Sequence, residues 1–91
     1  MDLPKKVIIS EEGPREGFQI EKGPIATSDK IALIDALSQC GFSHIQAASF
    51  VSVKHVPGWA DAEAVVGGLT CHPGVAYSAI WFNEAGLQRA L

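Results

Sequence analysis

At 91 residues the chain is one domain at most, and its 47% apolar and 19% charged residues are the balance of a folded globular protein, not of a disordered tail. A net charge of −3 and a pI near 5.4, with no basic stripe, argue against nucleic-acid binding. No apolar run reaches the ~18 residues of a membrane span, no signal segment opens the chain, and Cys40 and Cys71 are too few for a disulfide framework, so a cytoplasmic protein without membrane attachment is expected.

Val7 to Ser10 is a β-branched run suited to a buried strand. Directly after it comes Gly13-Pro14-Arg15-Glu16-Gly17-Phe18-Gln19, which reads as a turn bracketed by two glycines. Such a turn would present a guanidinium and a carboxylate at the mouth of a sheet. Adjacent opposite charges there suit an anionic, oxygen-rich substrate held by a metal.

Thr27 and Ser28 are good helix N-caps, with Asp29 in the first turn against the positive end of the helix dipole. Ile31, Ile34 and Leu37–Ser38 then recur at helical spacing with Leu33 beside them, leaving Lys30, Asp35 and Gln39 for the other face. Gly41 is the expected left-handed cap, and Cys40 before it is expected to be buried.

His44 to Phe50 predicts a second strand, although Ala47 and Ala48 are poor strand formers. Pro57-Gly58 breaks the chain, and Asp61 caps a short helix through Val66 that Gly67-Gly68 stops. His72-Pro73-Gly74 is a turn, Val75 to Phe82 a third strand, and Asn83 the favoured N-cap of a last helix reaching Leu91. Trp59 and Trp81 read as packing residues, and His44, His55 and His72 as ordinary polar positions.

The order β-α-β-α-β-α predicts a parallel sheet with right-handed crossovers. Three strands cannot close a barrel, so strand edges and one sheet face would stay uncovered. The expectation is the opening part of something larger.

Three blocks in order resemble the hydroxymethylglutaryl-CoA lyase group of the metal-dependent (β/α)8-barrel lyases and synthases. The first is Glu12-Gly13-Pro14-Arg15-Glu16-Gly17-Phe18-Gln19 with Glu21-Lys22, similar to the family's E-x-G-P-R-D-G-L-Q-x-E-K. The second is Lys30-Ile31, Leu33-Ile34-Asp35 and Leu37-Ser38, followed by Gly41. The third is Ser49-Phe50-Val51-Ser52-Val53-Lys54-His55-Val56-Pro57 with Ala60-Asp61, similar to S-F-V-S-P-K-x-V-P-x-x-A-D. The related homocitrate and isopropylmalate synthases precede their arginine-acid turn with Thr-Leu or Thr-Asn, which favours the lyase branch.

The resemblance implies residues 1–91 as the N-terminal part of one (β/α)8-barrel domain, α/β in class, with the first three βα units present. It implies metal-assisted retro-Claisen cleavage of an acyl-CoA thioester, a 3-hydroxyacyl-CoA, in branched-chain acid catabolism, by a full-length parent that could form a homo-oligomer. Glu16 would be a ligand of a divalent metal ion, Mg²⁺ or Mn²⁺. Arg15 would be the catalytic cation facing the thioester oxygen. Gln19, Gln46, Ser49 and Lys54 would contact substrate. Gln19 could instead close the turn, Ser49 cap the strand end, and Lys54 meet only solvent.

The chain departs from the family pattern at Glu16, where most lyases have Asp, at Phe18, at Gln46, where they have Glu, and at Val53, where they have Pro. These departures suggest a bulkier or differently substituted acyl group. The family's His-x-His pair, its metal-ligating Asn and its loop cysteine have no counterpart here, so the 91 residues alone are expected to be inactive. Two other readings stand beside this one: a condensing synthase, and a truncated, non-catalytic remnant.

Overall fold

β2, His44–Phe50, is the middle of three parallel strands, with β1, Ser10–Glu11, on one side and β3, Ala76–Trp81, on the other. The computed structural model describes residues 3–20, 23 and 25–91; Glu21-Lys22 of the first sequence block lies outside the described residues. The helices are α1 (Gly13–Ile20), α2 (Thr27–Leu37), α3 (Ala62–Gly68) and α4 (Glu84–Ala90), with a 3₁₀ turn at Pro57–Trp59. Among the described residues no helix is long and apolar enough to cross a membrane.

The core sits between β2 and the helices: Ile34, Ile45, Ala47, Ala48, Phe50, Trp59, Ala62 and Val65 are all buried. The two alanines of β2 keep that face of the strand shallow enough for α3 to approach it. β2 carries one irregularity. Gln46 pairs with Ser78 and Ala48 with Ala79, so β2 advances two residues while β3 advances one, and Ala47 is a bulge. Beyond it Ser49 pairs with Ile80 and Phe50 with Trp81. Since Ser78 and Ile80 share a face of β3, Gln46 and Ser49 share a face of β2 although they stand three apart.

Several local expectations are corrected. Of the Val7–Ser10 strand only Ser10 pairs, and Val7, Ile8 and Ile9 are 66%, 80% and 60% exposed. A β-branched run becomes a strand only where neighbours bury it, and β2 begins no earlier than His44, opposite Ser10. Gly13–Gln19 is not a turn but most of α1, and neither Gly13 nor Gly17 has a positive φ. Pro14 lies in the first helical turn, where its missing N–H costs nothing, and the Glu11 carboxylate accepts the Gly13 N–H at 2.7 Å.

The N-cap of α2 is Ala26, with no side-chain cap, because the Thr27 hydroxyl is turned to Asp61. Asp61 does precede α3, but its carboxylate is taken up by Thr27 and Lys30 and does not cap; α3 continues through both glycines. Lys30, expected on the solvent face, is 3% exposed. Cys40 is exposed in the turn after α2. Gly41 has φ +91°, the left-handed geometry expected of it. Asn83 caps α4, its side-chain oxygen accepting from the Gly86 N–H at 2.8 Å.

Candidate active site

α1 starts two residues after the carboxyl end of β1 and packs against β2, α2 and the 3₁₀ turn. Carboxyl strand ends are where parallel α/β folds place their chemistry. Arg15, with only 17% of its side chain exposed, reaches from α1 to the sheet: its Nε donates to Gln46 Oε1 at 2.6 Å. Its Nη2 donates to Glu16 Oε1 at 3.2 Å and lies 3.6 Å from Glu12 Oε2. Nη1 has no partner among the described residues. The guanidinium is thus anchored by an uncharged amide and flanked by two carboxylates, and among the described residues one of its donors is unpaired.

Glu16 is the more open of the pair, with 62% of its side chain exposed. A half-solvated carboxylate is a hard oxygen donor whose open side a divalent cation can approach. Among the described residues no three His, Cys, Asp or Glu side chains converge, so these residues by themselves do not complete a metal site.

The other predicted residues are scattered differently. Gln46 is in the site, as Arg15's anchor. Ser49 is fully buried on the same strand face, and its hydroxyl has no partner among the described residues. Gln19 is exposed on α1 and makes no side-chain hydrogen bond to a described residue. Lys54 is exposed in the loop after β2 and forms no ion pair with a described residue. The structure therefore gathers Arg15, Glu16 and Gln46, places Ser49 further along the same face of β2, and leaves Gln19 and Lys54 apart.

Below this level a second polar layer crosses the sheet. His44 bonds through Nδ1 to the Ser10 hydroxyl and through Nε2 to that of Ser78 at 2.7 Å, joining all three strands. On the far side of α1, the Trp59 indole N–H donates to the Arg15 carbonyl at 2.9 Å.

Sequence reading missed Glu11 as the cap of α1, Glu12 as a partner of Arg15, and Trp59 as a contact to Arg15. The Glu12–Arg15 spacing of three is a helical ion-pair signal, visible only once the segment is read as helix. Nothing local in the sequence signals the other two.

Asp61 is held below the usual carboxylate range. Burial pushes it up, but hydrogen bonds from Lys30 and Thr27 and the charge of Lys30 outweigh that push. Glu63 is lowered as well, chiefly by its hydrogen bond from Arg89.

No protein-family profile matches the chain. It is 48% identical over 91 residues to the 3-hydroxy-3-isohexenylglutaryl-CoA/hydroxy-methylglutaryl-CoA lyase of Pseudomonas aeruginosa, covering all of this chain and 30% of that protein. The crystal structure of the Bacillus subtilis HMG-CoA lyase superposes with a TM-score of 0.93 at 47% identity, over 99% of this chain and 30% of that one. An HMG-CoA lyase from Acinetobacter baumannii, solved with coenzyme A and 3-methylmalate, superposes at 0.87 and 43% identity, over 91% of this chain and 27% of that one. The chain spans about 30% of the length of the curated relatives it matches.

Proposed function

We propose that this hydroxymethylglutaryl-CoA lyase-like chain forms the first three βα units of a (β/α)8-barrel domain that cleaves a 3-hydroxyacyl-CoA to acetyl-CoA and a keto acid. Coverage of about 30% of each relative makes the activity a property of a longer protein, and the 91 residues alone would not turn over substrate. The arrangement of Arg15 carries the reading: a partly buried guanidinium anchored to β2 through Gln46, just beyond the carboxyl end of β1.

In the reaction the 3-hydroxyl loses its proton, the C2–C3 bond breaks, and its electron pair moves onto the acetyl-CoA fragment as an enolate. Protonation at C2 completes the product. Arg15 would aim Nη1 at the oxygen where this charge develops. A fixed donor so placed lowers the barrier because it needs no reorganisation when the charge appears. Gln46 holds the guanidinium without neutralising it, so the positive charge stays available.

Glu16 would contribute one carboxylate to a divalent cation, Mg²⁺ or Mn²⁺, the remaining ligands coming from residues outside this chain. A bound cation would supply electrophilic stabilisation of substrate oxygens. Ser49 would reach substrate only after movement of the side chains that cover it, whereas Lys54 is free to meet the phosphates of coenzyme A. The exposed thiols of Cys40 and Cys71 suit a reducing compartment such as the cytoplasm.

In a protein that contains this chain and turns over, Glu16→Gln should abolish ion-dependent cleavage. Arg15→Lys should lower kcat by about a hundredfold or more. Unchanged turnover in either variant, or release of free coenzyme A in place of acetyl-CoA, would overturn the reading.

A further inference from the structure

Cations on two helices grip the last two carbonyls of the 3₁₀ turn Pro57–Trp59. From α2, Lys30 Nζ donates to the Gly58 carbonyl at 2.5 Å and to Asp61 Oδ1 at 2.7 Å, with only 4% of its side chain exposed. The Thr27 hydroxyl occupies the other Asp61 oxygen at 2.5 Å. From α4, Arg89 donates to the Trp59 carbonyl at 3.4 Å and to the Val51 carbonyl at 2.9 Å while paired with Glu63.

Between these grips the Trp59 ring is fully buried, 5.0 Å below Lys30 Nζ and edge-on to Phe18 at 5.9 Å. Its indole N–H ends on the Arg15 carbonyl. The turn also presses on α1 directly, since a Cβ at Gly58 would lie 2.5 Å from the Phe18 carbonyl oxygen.

The geometry points to Lys30, Asp61 and Trp59 as positioning residues for Arg15. A carbonyl within a helix is satisfied by the helix itself, so a second donor from a rigid, buried ring adds little but a fixed orientation. Here it fixes the rotation of α1 about its own axis, and with it the line from the Arg15 backbone to Gln46. A buried lysine–aspartate pair is weak evidence of net stability compared with apolar packing. What this pair does is hold the Trp59 plane. The inference rests on the function proposed above for Arg15.

The test uses an active protein containing this chain. Trp59→Phe removes the indole N–H together with the five-membered ring that carries it. It should lower kcat about tenfold with KM for the acyl-CoA within about twofold and the folded fraction unchanged at the assay temperature, because misplacement of a catalytic group acts on the chemical step. Lys30→Met should show the same split, and Lys30→Arg should restore most of kcat. Exchange of the Trp59 indole proton, read by NMR, should be slow in the unaltered protein and fast in Lys30→Met. Unchanged kcat in Trp59→Phe, or a loss matched by a loss of folded protein, would overturn the positioning role. Arg15→Lys in parallel separates the two claims. If it lowers turnover and Trp59→Phe does not, positioning alone fails; if neither does, the role of Arg15 fails first.

Discussion

Arg15 and Gln46, 31 positions apart in the chain, meet at 2.6 Å through Nε and Oε1, and this bond ties α1 to the middle strand. Because the acceptor is an amide, the guanidinium is fixed without being paired to a buried anion. Its two carboxylate neighbours, Glu12 and Glu16, lie on the solvent side, with 46% and 62% of their side chains exposed.

Gln46→Leu should therefore cost about 1.5–3 kcal/mol of stability, the range for a hydrogen bond to a charged group. It should also reduce turnover of an active protein carrying it by releasing Arg15. Gln46→Glu should retain most of the stability, since a carboxylate accepts the same N–H. Denaturant unfolding and steady-state rates on the two variants check this, and equal behaviour of Leu and Glu would deny the anchor.

The lowered pKa of Asp61 gives a direction for pH. A carboxylate depressed in the folded state adds stability that is complete above its unfolded value of about 3.9 and is lost as pH falls through the folded value below it. Unfolding midpoints measured from pH 6 down to pH 2 should drop in the acid limb, and Asp61→Asn should flatten that drop. Glu63 adds a smaller contribution of the same sign, because its side chain is 53% exposed and solvent screens it.

Gly58→Ala tests the close approach of the 3₁₀ turn to α1. The added methyl would meet a backbone oxygen, which cannot rotate away as a side chain could. A loss of about 1–3 kcal/mol is expected, typical of overpacking. Gly17→Ala, where nothing lies within 4 Å of the added carbon, should be neutral or stabilising in the same helix. Thermal unfolding of the pair would reveal whether contact or helix propensity governs.

The strand order and β2 were legible because alternation and turn residues are local signals; His44–Phe50 and the Asn83 cap stand where periodicity puts them. Arg15-Glu16 was legible as a charged pair from its spacing within the first block. Its setting was not, because two glycines and a proline look like a turn until Glu11 is seen to accept the Gly13 N–H. Lys30 shows the other limit. A single cation on a helix reads as solvated, and only the return of the chain at Gly58 and Asp61, 28 and 31 residues later, makes its burial tolerable. The bulge at Ala47 left no mark in composition at all.

That bulge has a consequence for how β2 tolerates change in length. Deleting Ala47 would leave Ala48, Ser49 and Phe50 opposite the same β3 partners and on the faces they already hold, because the bulge absorbs the extra residue. Beyond the strand's midpoint, which residues meet oil and which meet water is thus set by the neighbouring strand and not by a tally of positions. A letter can be struck out there and the sentence still reads.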